Sequence, residues 1–161
     1  MPTDAIRNYI EKMTLILEAN GMSRTAGRVL AYLLICSPRE QSMHDLIDAL
    51  GLSKSSISTS TQTLIQLSLI ERVSLPGQRR DYYRIISGVW DKIMAKHIVV
   101  TQHLRDIAAE GIELIDESSF DGHCAYLQEM YEFYDFWVQE MPLLLERWRS
   151  QKEEYRKVQE D

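Results

Sequence analysis

Gly51-Leu52-Ser53-Lys54-Ser55-Ser56-Ile57-Ser58-Thr59-Ser60-Thr61-Gln62-Thr63-Leu64 is the stretch whose reading decides the fold. Ser53 is a good N-cap residue, because its hydroxyl can take one of the unpaired amides of a helix start, so a helix is expected from Lys54 to Leu67. Ile57, Leu64 and Leu67 fall on one face of that helix, with Ser60 and Thr61 at a crowded crossing point. The other positions are Lys54, Ser55, Ser56, Ser58, Thr59, Gln62, Thr63 and Gln66. A merely solvated helix face usually carries Glu and Lys, which favour helix and solubility. Short hydroxyls and amides are poorer helix formers, and their value lies in hydrogen bonds to base edges and phosphates.

The flanks complete a pattern. Upstream, Ser42 to Leu50 reads as a short helix, with Ser42 as cap and Asp45 in the capping-box position three residues on. Gly51-Leu52-Ser53 is then a tight turn between two helices. Downstream, Ile70 to Leu75 and Arg80 to Ile86 are short alternating runs rich in strand formers. Between them lies Pro76-Gly77-Gln78-Arg79-Arg80, a reversal with arginines at or beyond its tip. Helix, turn, helix and hairpin together have the sequence form of a winged helix-turn-helix. The expected fold class is mostly α with a small two-stranded antiparallel wing.

Residues 3–19 carry Ile6, Ile10, Met13 and Leu17 in one apolar stripe, so a helix is expected there, ended by Asn20-Gly21. Ser23 caps the next helix, expected to reach about Cys36 before Pro38. Gly27 inside it lowers helix propensity, and the expected reason is close approach of a neighbouring helix. A long helix begins at Trp90, where Trp90, Ile93, His97, Val100, Leu104, Ile107, Gly111 and Leu114 alternate four and three apart. Met94, Thr101, Ala108 and Ile115 form a second stripe beside it, and Asp116-Glu117-Ser118-Ser119 breaks the pattern. From Phe120 on, Leu127, Met130, Tyr134, Trp137, Met141, Leu144 and Trp148 repeat the spacing. Pro142 should kink or restart that helix, and the charged tail from Gln151 should fray. The expected organisation is an N-terminal helix over 1–20 that packs on the body or on a second subunit, a winged helix-turn-helix over 21–87 and a C-terminal helical region over 88–161 whose seams suit a partner helix. Ile6, Ile10, Met13, Leu104, Ile107, Leu127, Tyr134, Met141 and Trp148 are the expected dimer contacts.

The net charge of −6 is unevenly distributed. Residues 1–90 hold ten Lys and Arg against eight Asp and Glu, and the remainder holds eight against sixteen. The half with the helix-turn-helix is therefore mildly basic and can present a local positive face to phosphate. The longest apolar run, within Val29 to Cys36, is far too short to span a membrane, and Met1-Pro2-Thr3-Asp4 does not open a signal peptide. A cytoplasmic location is expected. Cys36 and Cys124 are expected as buried thiols. There is no Gly-rich phosphate loop, nucleophile elbow or HExxH motif, so the chain does not read as an enzyme. His44, His97, His103 and His123 lack metal-ligand spacing, with His123-Cys124 only a weak candidate. No metal or cofactor is expected.

Gly21 to Leu34 resembles the helix before the reading head of MarR-type winged-helix regulators, and most of all their GbsR-like branch. Leu52 to Ser58 and Val73 to Tyr83 are similar to that branch's recognition helix and wing. The resemblance covers about residues 21–86. It implies a homodimeric transcription factor, most often a repressor, whose dimer interface is built from N- and C-terminal helices. Double-stranded DNA and a second copy of the chain are the expected partners. DNA contacts are expected from Ser53, Lys54, Ser55, Ser56, Ser58, Thr59, Gln62, Thr63, Arg72, Gln78, Arg79 and Arg80, with Arg24, Arg28 and Arg39 either touching the DNA backbone or held in ion pairs. The branch also implies a quaternary ammonium effector such as choline, which needs an aromatic cage. Trp90, Tyr131, Tyr134 and Trp137 are the candidates, against plain apolar packing of the same rings. The competing function is a DNA-free adaptor that binds protein through the same helices.

Overall fold

The computed structural model describes residues 3–117 and 124–160, which form two compact units, Met1–Val89 and Trp90–Asp161. The first holds α1 (Asp4–Ala19), α2 (Arg24–Leu33), β1 (Gln41–Ser42), α3 (Met43–Leu50), α4 (Lys54–Gln66), β2 (Ile70–Ser74) and β3 (Asp81–Ile85). The second is built from α5 (Val89–Glu117) and α6 (Ala125–Glu160), with α5 starting at the boundary. None of the described helices is long and apolar enough to cross a membrane.

Each helix of the first unit starts on a hydroxyl cap. Thr3, Ser23, Ser42 and Ser53 accept from the amides of Ile6, Ala26, Asp45 and Ser56 at 3.4, 3.3, 3.3 and 3.2 Å. Each cap contributes about 1 kcal/mol. The capping box at α3 is complete, since the Asp45 carboxylate accepts from the Ser42 amide at 2.8 Å. The core gathers Val29 of α2, Leu46 of α3, Ile57 and Leu64 of α4 and Ile70 of β2, all with no exposed surface. Burial of such side chains contributes about 1.5–3 kcal/mol each. Ser60 and Thr61 are buried at the α4 crossing, as their small size requires. Gly27 is where α1 and α2 come closest: a Cβ there would meet Thr14 Cγ2 at 3.3 Å.

Three local expectations change. The sheet has three antiparallel strands in the order β1-β3-β2, because Gln41 and Ser42 pair with Tyr83 and Tyr82. Ser42 thus serves as both strand residue and helix cap, and a two-residue strand leaves no periodicity to read. Leu67 is 42% exposed rather than buried. The chain turns at Ser68, whose φ of 59° is left-handed, and the Leu69 amide reaches back to the Leu64 carbonyl at 3.0 Å. That turn swings Leu67 outward and brings Ile70 into the core. The two cysteines are free and only half-buried, and burial raises the Cys36 thiol above its ordinary pKa.

In the second unit α5 and α6 run antiparallel. A Cβ on Gly111 would meet Leu127, the Thr101 hydroxyl lies 3.8 Å from Met141 Sδ, and Arg105 pairs with Asp135 at 3.6 Å. Near the other end, Asp91 accepts from the Trp148 indole at 2.8 Å and from Lys152 at 3.1 Å. These two bonds, the indole foremost, hold the Asp91 carboxyl below the usual carboxylate range. They tie α6 to α5 as far as Lys152, and the helix runs to Glu160. Pro142 lies inside α6 without ending it; its missing N–H leaves one helical hydrogen bond unmade. Ser118, Ser119, Phe120 and His123 lie outside the described residues.

Candidate nucleic-acid interface

The two helices of the reading head meet at Gly51, whose φ of 63° ends α3 and needs a residue without a Cβ penalty. From there α4 leaves with its apolar side buried. Along its outer side Ser55, Thr59, Gln62 and Gln66 are exposed, at spacings of four, three and four residues. That stripe runs about 16 Å along the helix axis at 1.5 Å per residue. Ser56, Ser58 and Thr63 border it and are half-buried. Some of these hydroxyls already donate or accept locally. Ser53 Oγ lies 3.0 Å from Ser55 Oγ and 2.8 Å from Ser56 Oγ, and the Thr63 hydroxyl donates to the Thr59 carbonyl at 3.0 Å. Thr63 is left mainly as an acceptor, whereas the Gln62 amide forms no hydrogen bond with a described residue and keeps both donor and acceptor.

The wing is the β2–β3 hairpin. Its register sets Glu71 opposite Arg84 and Ser74 opposite Asp81. The Gln78 amide bonds the Leu75 carbonyl at 3.0 Å around Pro76-Gly77, with Gly77 at φ 75°, the geometry of a type II turn. Gln78, Arg79 and Arg80 follow the turn and are all exposed. Register also decides which cations are committed. Arg84 is shared between Glu71 at 2.9 Å and Glu40 at 3.2 Å, and Arg72 pairs with Asp81 at 3.4 Å. Arg72, expected as a phosphate contact, is thus the residue that pairs with Asp81. Arg24 and Arg28 are held by Glu11 at 3.0 and 3.2 Å. Lys54, Arg79 and Arg80 have no acidic partner within ion-pair distance among the described residues, and Arg39, in the loop before β1, has none either; the first three leave unspent positive charge at the head and wing.

A cleft of about 570 Å³ joins these parts, lined by Lys54, Arg80, Asp81, Tyr83, Ser42 and His44 among others. Lys54 at the start of α4 and Arg80 at the end of the wing therefore face one space. The charge of Arg80 is felt at Asp45, whose carboxyl is held below its ordinary pKa first by the Ser42 hydroxyl and in smaller part by Arg80. His44 was not singled out from the sequence as a DNA contact. It is exposed, 3.3 Å from Asp48, and the available signal was its place in the first turn of α3, off the Leu46–Leu50 face.

The chain has counterparts among known proteins. A model described as the MarR family matches residues 20–81, and one described as MmpR5-like MarR family transcriptional regulators matches residues 88–151. The HTH-type transcriptional regulator MmpR5 of Mycobacterium tuberculosis is 34% identical over 113 residues, 70% of this chain and 68% of that protein. The chain belongs to the MarR family. It is a DNA-binding transcription regulator of the winged helix-turn-helix type. The HTH-type transcriptional repressor OpcR of Bacillus subtilis is 24% identical over 148 residues, 82% of this chain and 80% of that one. A crystal structure titled as a transcriptional regulator superposes with a TM-score of 0.75 at 31% identity, covering 91% of this chain and 99% of its own. These relatives are named as regulators of transcription.

Ile10 is 3% exposed and, with Ile6 and Met13, packs into the core of its own unit, so the outward apolar residues of α1 are Tyr9, Leu15 and Ile16. Leu127 and Met141 meet α5 of the same chain. On α5 Thr101 and Ala108 of one stripe are buried, though Met94 of that stripe is 38% exposed, while the other leaves Trp90, Val100, Ile107 and Leu114 at 55, 45, 56 and 60% exposure. Leu104 is half-buried beside it. The four rings proposed as a cage do not converge within one chain. Trp90 adjoins Asp91, which holds Trp148, and Trp137 lies eleven residues earlier on α6, about 16 Å along the axis. Tyr131 and Tyr134 are farther still. Trp137 instead meets Phe133 and Phe136 edge-on at 6.1 and 5.9 Å along its own helix.

Proposed function

We propose that the protein is a cytoplasmic homodimeric repressor that reads a pseudo-palindromic operator with α4 and grips the flanking DNA with the wing. The observation that supports this reading is the shared cleft of Lys54 and Arg80, which brings the start of α4 and the end of the wing to one space. In that arrangement Ser55, Thr59 and Gln62 meet base edges in the major groove, where Gln can bond adenine through two hydrogen bonds. Ser53, Ser56, Ser58 and Thr63 sit at the groove wall, and Lys54, Gln78, Arg79 and Arg80 take phosphates or the adjacent minor groove.

A second copy is supported by the second unit, where two long helices bury little between them. Val100, Ile107 and Leu114 on α5, and Phe133, Phe136 and Leu143 on α6, remain 45–60% exposed. Apolar patches of this kind mark association surfaces. A dimer would set two α4 helices about 34 Å apart, one turn of duplex. Similarity to OpcR, named a repressor, supports the sign of regulation. The GbsR-like resemblance over residues 21–86 supports a quaternary ammonium effector, whose cage would have to draw on more than one chain.

A gel shift with the duplex upstream of the chain's own gene, in excess non-specific DNA, tests the DNA reading. A retained complex is expected; none would favour the protein adaptor. Choline or glycine betaine should change Trp fluorescence and operator affinity together, and no response in either removes the effector.

A further inference from the structure

We propose that Arg28 is a positioning residue that ties the turn of the reading head to α1. The inference rests on the DNA-binding reading above. Arg28 lies on α2, and its guanidinium reaches in two directions. Its Nη2 donates to the Leu50 carbonyl at 3.2 Å, the last carbonyl of α3 before the Gly51-Leu52-Ser53 turn. Its Nε lies 3.2 Å from Glu11 Oε1 on α1. That nitrogen is buried and off-line for a hydrogen bond, so Glu11 holds it by charge. Glu11 is itself gripped from the other side by Arg24 at 3.0 Å, and Arg24 also reaches Glu18 at 3.7 Å.

The arrangement does more than fill space. An open cleft of about 280 Å³ lies beside Arg28, lined by Arg7, Glu11, Asp48, Leu50 and Gly51 among others. Across such a cleft the two elements share few dispersion contacts, so a polar bridge carries the positional information. A helix C-terminus also carries partial negative charge and unsatisfied carbonyls, so a guanidinium there is doubly favoured. The forked geometry of Arg serves both partners at once, which the single ammonium of Lys cannot do. A shift of α1 therefore moves Glu11, then Arg28, then the carbonyl that sets where α4 begins. Arg28 is turned toward α1 and the turn, so it acts on DNA through the position of α4 rather than by touching phosphate.

The test uses the full chain with Arg28→Ala, Arg28→Lys and Glu11→Gln. Operator affinity should fall about tenfold for Arg28→Ala and about threefold for Glu11→Gln, with Arg28→Lys giving only partial recovery, all at an unchanged salt slope. Hydrogen exchange should quicken about tenfold at the Gly51 amide and its neighbours in the turn, while amides in the middle of α2 stay protected. The exchange arm needs no DNA, so it separates failure of this proposal from failure of the DNA reading. A salt slope reduced by about 0.9 for each Arg28 removed would make Arg28 a direct phosphate contact and overturn the proposal. So would unchanged exchange at the turn, or exchange raised equally across the whole unit. Should Arg28→Ala fail to fold, Glu11→Gln decides, because it keeps the shape and removes only the charge; unchanged affinity and exchange in that variant overturn the proposal.

Discussion

Replacing Arg79 and Arg80 together by Ala should cut the salt dependence of operator binding more than any other pair of changes. The magnitude follows from which cations are already committed. Arg72 and Arg84 face carboxylates across the hairpin, whereas Arg79 and Arg80 have no acidic partner among the described residues. Each phosphate neutralised contributes about 0.9 to the slope of log K against log salt. Two wings carry four such arginines, so the slope should fall by about 3.6 if every one meets a phosphate. Carried from 1 M to 0.15 M salt, that is a loss of about three orders of magnitude in affinity. The assay is fluorescence anisotropy on a labelled operator at four or more salt concentrations, with circular dichroism to show that the fold is intact. Arg79→Lys with Arg80→Lys should keep most of the slope, since a point charge releases counterions as well. An alanine variant with an unchanged slope would refute the claim that the wing supplies the electrostatic grip.

Three further outcomes are expected. Ile107→Glu places a charge in the exposed α5 stripe and should turn the dimer into monomers in sedimentation at micromolar concentration, while leaving the fold of the first unit intact. Ser68→Gly removes a left-handed penalty of about 1 kcal/mol at the end of α4 and should raise the midpoint of thermal unfolding by a few degrees. Asp45 has its folded pKa lowered, chiefly by the Ser42 hydroxyl, so its contribution is complete above the ordinary carboxylate range and lost as pH falls through the lowered value. Asp45→Asn should therefore flatten the acid limb of the stability profile below about pH 4, as read by chemical denaturation, and leave the neutral limb parallel to the parent.

Much of the reading head was legible because its signals are local. The caps at Ser23, Ser42 and Ser53 and the turn at Pro76-Gly77 each depend on a few adjacent residues, and each stands where the sequence implied. Gly27 announced a close helix crossing for the same reason. What was not legible depends on pairing at a distance. Strand register gives Asp81 to Arg72, and nothing in the spacing of those residues says so. The two-residue β1 is defined only by its partner β3. On α5 the two apolar stripes look alike in sequence; the smaller side chains Thr101 and Ala108 turned inward because they let α6 approach, leaving Ile107 and Leu114 outside. Within one chain the four candidate rings stay apart for the same reason, since helical spacing along α6 does not bring Trp137 to Trp90.

Selection of binding sites from a random pool of duplex DNA by the full-length protein, followed by hydroxyl-radical footprinting of the winner, tests the central claim most directly. A pseudo-palindrome is expected, with two half-sites centred about 10 base pairs apart, protection on one face of the duplex and loss of enrichment for Gln62→Ala at one position of each half-site. A pool that shows no enrichment, or a winner bound equally well by the Gln62→Ala protein at every position, would contradict it.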